Sequence, residues 1–156
     1  MYTSLTVKQI LERKGYNVWS IDPETSILGA LQFMAEKNIG AVMVVKDGEL
    51  VGVFSERDYA RKVVVKGRNE QDTLVKEVMT RKVIGVDLDQ KIEDCLALMT
   101  GKFIRHLPVV DDDRGIVGVI SIGDVVKELI IEQDFFIDQL VLYVTGARPM
   151  PPIPNK

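Results

Sequence analysis

Apolar positions recur along the chain at two spacings, and they do so in the same order twice. Val7, Ile10 and Leu11 have helical spacing and open a short amphipathic segment that Gly15 ends; Val75, Val78 and Met79 are their counterpart. After each comes a short extended piece, Val18-Trp19-Ser20-Ile21 or Val83-Ile84-Gly85-Val86, and then an acidic turn beginning at Asp22 or Asp87. A helix is predicted next. Ile27, Ala30, Leu31, Met34 and Ala35 fall at i, i+3, i+4, i+7 and i+8, and Ile92, Cys95, Leu96 and Met99 repeat the first four positions. Two strands follow in each copy. The first is Ile39-Gly40-Ala41-Val42-Met43-Val44-Val45, matched by Ile104-Arg105-His106-Leu107-Pro108-Val109-Val110. Turns at Lys46-Asp47-Gly48-Glu49 and Asp111-Asp112-Asp113-Arg114-Gly115 lead into the second, which carries Gly-x-x-Ser-x-x-Asp from Gly52 to Asp58 and from Gly118 to Asp124. Each of these strands runs into a helix.

The pattern predicts an α/β (α+β) fold of two β-α-β-β-α repeats, each about 60 residues and too small to be comfortable alone. Packed face to face with pseudo-two-fold symmetry, they would share a core and leave clefts between them, where small ligands commonly sit. The expected division is a first repeat with its N-terminal segment at 1–68, a linker at 69–73, a second repeat at 74–132, and a C-terminal helix and tail at 133–156. The last helix continues through Leu129, Ile130, Phe135, Phe136, Leu140 and Tyr143 with no partner in the first half. Two readings stand for it: a dimer contact, or a cap on the protein's own core. The tail from Arg148 to Pro154 is Pro-rich and reads as irregular.

Composition narrows the function classes. Twenty Lys and Arg against 23 Asp and Glu give a net charge of −3, without the basic surplus of a general nucleic-acid binder, so any basic site is local. One Cys and one His exclude an internal disulfide framework and a Cys/His zinc site. Cys95 aligns with Ala30 on a helix stripe and reads as core. The N-terminus lacks a basic region followed by an apolar core, and no apolar run reaches the roughly 18 residues of a membrane span. A cytoplasmic protein in a reducing compartment is expected, with no membrane and no metal.

The two copies differ where charge is concerned. Arg105 and His106 stand where the first copy has Gly40 and Ala41, inside a strand whose neighbours are apolar, where charges are rare unless paired or functional. Each Ser-x-x-Asp gathers a hydroxyl, a carboxylate and free backbone N–H groups at a helix start. The plain reading of Ser55-x-x-Asp58 and Ser121-x-x-Asp124 is a capping box, and Arg105 has a plain reading as a partner of Asp111 or Glu56. Arg57 and Arg61 add positive charge near the first of these helix starts, whereas the run on to Lys62, Lys66 and Arg68 reads as a solvated face. Trp19 and Tyr59 read as packing residues.

The duplicated order, from Asp22-Pro23-Glu24-Thr25-Ser26-Ile27 and Asp87-Leu88-Asp89-Gln90-Lys91-Ile92 through the strand at Arg105 to both Gly-x-x-Ser-x-x-Asp stretches, resembles tandem CBS-domain proteins, the pair called a Bateman module. The resemblance spans roughly residues 7 to 130. It implies that clefts between repeats bind adenine nucleotides, with Asp58 and Asp124 on ribose hydroxyls and Ser55 and Ser121 near phosphate. It implies that Asp58 faces Val86 and the segment Ile104, Arg105, His106, Leu107 and Pro108, while Asp124 faces Ser20, Ile21 and the segment Ile39, Gly40 and Ala41 to Met43. It also implies homodimerisation.

One carboxylate can accept from both vicinal hydroxyls of a ribose, and phosphate favours guanidinium donors, so Asp58 with Arg57, Arg105 and His106 makes the first-choice cleft. Val86 and Ile104 are candidates to sandwich the purine. The leading expectation is a stand-alone regulatory or sensor module that binds AMP, ADP, ATP or NAD and signals occupancy, by conformational or oligomeric change, to a protein partner. No Gly-x-Gly-x-x-Gly turn supports a Rossmann site for NAD. The rival is a ligand-free dimerisation or scaffold module in which both Asp residues only cap helices. An enzyme using His106 as base ranks last, because no nucleophile pattern lies beside it.

Overall fold

In a computed structural model the described residues are 5–113 and 115–146. The elements, in chain order, are α1 (Val7–Lys14), β1 (Ser20–Ile21), α2 (Ile27–Lys37), β2 (Ala41–Lys46), β3 (Glu49–Ser55), α3 (Glu56–Asp58), α4 (Val75–Val78), α5 (Ile92–Lys102), β4 (His106–Val110), β5 (Ile116–Ser121) and α6 (Ile122–Thr145). A π-helical stretch, Tyr59–Val64, extends α3. The predicted order of helices and strands is present in both halves, and the fold is the expected pair of repeats. The Pro-rich tail lies outside the described residues, as do Arg114 and the side chain of Tyr143.

Local chemistry explains the element ends. The hairpin between β2 and β3 turns on Asp47 and Gly48, both with positive φ (51° and 80°), the pair of left-handed residues that a tight two-residue hairpin requires. The longer second turn is held by Asp111, whose carboxylate accepts the N–H groups of Asp113 and Gly115. Helix α2 begins at Ser26, whose hydroxyl accepts the Gly29 N–H at 3.0 Å. Strands β1, β2 and β3 form one sheet; β4 and β5 form another, with Val86 bridging to Val109 in the place that β1 takes in the first.

The cores do not follow chain order. Val7, Ile10 and Leu11 of α1 pack with Val86, Ile92, Cys95, Met99, Leu107, Val109, Ile120 and Val125 of the second repeat. Val75, Val78 and Met79 pack with Ile27, Ala30, Met34, Val42, Val44, Phe54 and Val63 of the first. Backbone bonds fasten both exchanges in the same way. The Val7 N–H donates to the Gln90 carbonyl and the Ile92 N–H to the Leu5 carbonyl, while the Val75 N–H donates to Thr25 and the Ile27 N–H to Thr73. Each repeat is thus completed by the segment that opens the other, which answers the small core of a 60-residue unit.

The glycines of the two Gly-x-x-Ser-x-x-Asp stretches permit this exchange. A Cβ on Gly52 would lie 2.6 Å from the Met79 sulfur and 3.1 Å from the Thr80 carbonyl, and a Cβ on Gly118 would lie 2.7 Å from a Leu11 methyl. At Gly52 the obstacle includes backbone that is hydrogen-bonded to Val53 in both directions, whereas at Gly118 it is the end of a flexible side chain. Gly52→Ala is therefore expected to lower stability by about 1–3 kcal/mol, and Gly118→Ala by less, in urea denaturation of the two variants.

Candidate functional site

A cavity of about 450 Å³ opens between the halves. Its walls come from the start of β2, the β3–α3 junction, the stretch after α4, and the junction of α5 with β4. The sequence motif at Ser55 puts its carboxylate here through a capping box. Asp58 Oδ2 accepts the Ser55 N–H at 3.0 Å and the Ser55 hydroxyl at 3.1 Å, and the Ser55 hydroxyl accepts the Asp58 N–H at 3.2 Å. Oδ1 accepts the Thr80 hydroxyl at 3.1 Å and is paired with Lys62 at 2.8 Å. The Lys62 ammonium also donates to the Val78 carbonyl. Asp58 is only 7% exposed, so its charge is held by four donors in a mostly desolvated position.

The opposite wall supplies Ile104, Arg105, His106 and Pro108, with Lys82, Val83, Ile84, Lys102 and Phe103 beside them. Arg105 pairs with neither Asp111 nor Glu56. Lys82, Lys102 and Arg105 have no ion-pair partner among the described residues, which leaves three cations on one wall. Arg57 crosses from the first half and donates to the Phe103 carbonyl at 2.7 Å, capping the C-terminal end of α5. The arrangement offers a carboxylate, a group of cations and an apolar wall, a set suited to an organic phosphate.

Asp58 and Ser55 therefore share a cavity with Arg57, Ile104, Arg105, His106 and Pro108. Other expected neighbours lie elsewhere. Val86, at 4% exposed, is packed in the second core, and Val83 and Ile84 line the cavity in its stead. Leu107 also points into that core, because residues alternate between the faces of β4. Gly40 and Ala41, expected opposite Asp124, line the Asp58 cavity, and Ile39 lies with Gly40 in a smaller hollow beside α2. Ser20 and Ile21 form β1 at the sheet edge, paired with Met43 and Val44. Trp19 packs edge-to-face on Phe33, and the Tyr59 hydroxyl donates to Glu70, so both are packing residues. Thr80 and Lys82 belong to no motif of the sequence, and neither does Phe103. The mismatch between Phe103 and Asn38, its equivalent at the end of the first long helix, was the one available clue.

The Asp124 side is built differently. Ser121 and Asp124 form the same capping box, but Lys14 of the exchanged helix α1 holds the carboxylate at 2.5 Å. One turn further along α6, Arg13 pairs with Glu128, which is 5% exposed. Burial would raise the Asp124 pKa; the Lys14 ammonium and the Ser121 N–H outweigh it and hold the carboxyl below its ordinary value. Burial also pushes the Cys95 thiol up to about 11, so it stays protonated at neutral pH, in keeping with its place in the core. Among the described residues no cluster of His, Cys, Asp and Glu could hold a metal, and no helix is long and apolar enough to cross a membrane.

Two interlocked β-α-β-β-α repeats around an inter-repeat cavity define a class of paired-repeat modules. The family model for the CBS domain matches the chain at 7–65 and again at 75–131, and the chain belongs to the CBS-domain family. It is 36% identical to the mitochondrial CBS domain-containing protein CBSX3 of Arabidopsis thaliana, over 94% of this chain and 75% of that protein. Two curated archaeal relatives are longer, and the chain spans 48% and 36% of them. Among solved structures, the CBS domain NE2398 is 49% identical, with a TM-score of 0.77 over 81% of this chain and 98% of that one. The CBS domain pair of protein MJ0100, solved with 5′-methylthioadenosine and S-adenosyl-L-methionine, is 28% identical, with a TM-score of 0.72 over 80% of this chain and 99% of that one.

His106, the single histidine of the chain, lines the cavity. Burial, then Lys14 and Arg105, lower its pKa, against an opposing pull from Asp124. A histidine whose folded pKa is depressed contributes stability that is present above the unfolded value of about 6.5 and is lost as pH falls through the folded pKa. Wild type is thus expected to lose more stability than His106→Gln between pH 7 and 5.5, measured by urea denaturation at both values.

Proposed function

We propose that this protein is a regulatory CBS pair that binds an adenine nucleotide in the Asp58 cavity and signals its occupancy. The observation that carries the reading is the convergence of Asp58 from one half with three cations, Arg105 among them, that have no ion-pair partner among the described residues, from the other side of a cavity of ligand size. An adenosine-type ligand in the MJ0100 pair supports it. Asp58 would take the ribose hydroxyls by displacing Thr80 or Lys62 from Oδ1, while Arg105, Lys82 and Lys102 would take phosphate. Because the ligand touches both halves, it favours the arrangement that it bridges, by no more than its difference in affinity for the two arrangements. Each carboxylate has a lysine partner, Lys62 for Asp58 and Lys14 for Asp124, but the Asp58 cavity also carries Arg105, Lys82 and Lys102, so that cavity is proposed to dominate. No catalytic role is proposed for His106, and the protein is read as a cytoplasmic regulator with a protein partner.

Calorimetric titration of nucleotide-free protein with AMP, ATP and NAD tests this. Binding is expected for at least one of them. Arg105→Gly, which restores the residue of the first repeat, should weaken it by about 1.5–3 kcal/mol, roughly tenfold to a hundredfold. Asp58→Asn should weaken binding in the same range. If folded protein binds none of the three, the ligand-free dimerisation module becomes the better reading.

That second reading has its own support in α6. Ile130, Phe135, Phe136, Ile137 and Leu140 are exposed on α6, whose second half is largely apolar apart from Asp134, Asp138 and Gln139, and so large an exposed apolar surface is a mark of helices that pack in an assembly. A homodimer through this helix is compatible with either function. Light scattering should give twice the mass of the 17.5 kDa chain for wild type, and a single-chain mass for Phe135→Ser with Phe136→Ser. A single-chain mass for wild type would rule out the dimer.

A further inference from the structure

We propose that Phe103 is the stacking wall for the purine of the bound nucleotide, and so the residue that makes the cavity select a purine-bearing phosphate over phosphate alone. The inference rests on the reading of the cavity as a nucleotide site and adds a specificity-determining residue to it. Phe103 lines the cavity yet is 76% exposed, so its ring contributes little to either core. Its backbone is left-handed, with φ 56°, at the end of α5. The first repeat ends α2 in the same conformation, φ 54°, with Asn38, a residue type that tolerates it. A bulky aromatic in that conformation is disfavoured sterically, and its exposure is disfavoured by hydration. Stability therefore does not account for the choice of Phe, and strain held at a ligand cavity points to a role in binding.

The surroundings fit that role. The Arg57 guanidinium, reaching over from the first half, holds the Phe103 carbonyl and thereby fixes the aromatic residue at the rim. Ile84 and Ile104 supply apolar surface nearby, and Lys82, Lys102 and Arg105 supply cations for phosphate. Every base presents a π-face, so an aromatic wall beside a cationic one matches the two parts of a nucleotide. The left-handed Phe103 backbone and the Arg57 bond occur at this cavity, where Arg105 and His106 also replace Gly40 and Ala41.

The test uses the full chain, with ATP and inorganic tripolyphosphate as probes in calorimetry and a thermal melt without ligand. Phe103→Asn is expected to bind ATP about tenfold more weakly and tripolyphosphate as wild type does, while its melting temperature rises by about 3 °C as the strain is relieved. Phe103→Tyr should keep wild-type ATP affinity. If wild type binds ATP and Phe103→Asn binds it equally well, the stacking role is overturned while the nucleotide reading stands. Equal losses for ATP and tripolyphosphate would also overturn it, by showing that the residue merely shapes the phosphate site. A wild-type protein that binds neither nucleotide nor tripolyphosphate would remove both readings together.

Discussion

The exchange of opening segments between the repeats is the constraint on which the rest depends. Helix α1 fills the second core and α4 fills the first, so neither repeat has a complete interior without the other. Two short amphipathic helices, each too short to be stable by itself, gain their helicity from this packing. The same exchange fixes the cavity. The chain leaves α4, pairs Thr80 with Val53, and then runs along the cleft past Lys82 and Ile84, which is how a segment of the second repeat comes to line a site that begins at Asp58.

Asp58 shows how capping and binding coincide on one residue. The capping box aims its carboxylate and neutralises part of its charge, and Thr80 and Lys62 complete the set of donors. Capping alone accounts for Ser55 and Asp58; it does not account for Arg105, Lys82 and Lys102 across the cleft, which have no ion-pair partner among the described residues. The Asp124 side contains the same box with a different neighbour. Lys14 takes its carboxylate, and α1 and α6 are tied together by that pair and by Arg13 with Glu128. Two capping boxes that are similar in backbone thus differ in the charges around them, and the difference traces to Lys14 of the exchanged helix and to Lys62 and Arg105 near Asp58.

Much of this was legible in the chain. The helical spacing of Ile27 to Met34 and of Ile92 to Met99, the Asp47-Gly48 turn and the repeated Gly-x-x-Ser-x-x-Asp gave the element order, because these signals are local and stated twice. Asp58 was visible from the repeated Ser-x-x-Asp motif, and Arg105 and His106 because such side chains inside an apolar strand contradict their surroundings, with the sister repeat as the comparison. Val86 and Leu107 turn into the second core, because the stretch before the helix and the strand β4 each present two faces and sequence does not say which one turns toward the cleft.

The sequence by itself determined two copies of one unit, a charge asymmetry between them, and a helix-start carboxylate in each. Only the tertiary structure decided that α1 belongs to the second core, that Lys14 reaches Asp124, and that Thr80, Lys82 and Phe103 stand in the cleft with Asp58. Local pattern sets which face of an element is apolar, but it does not say which repeat's core receives that face. Which core receives which helix is settled by long-range packing and by the room over Gly52 and Gly118, and that information is distributed over residues far apart in the chain.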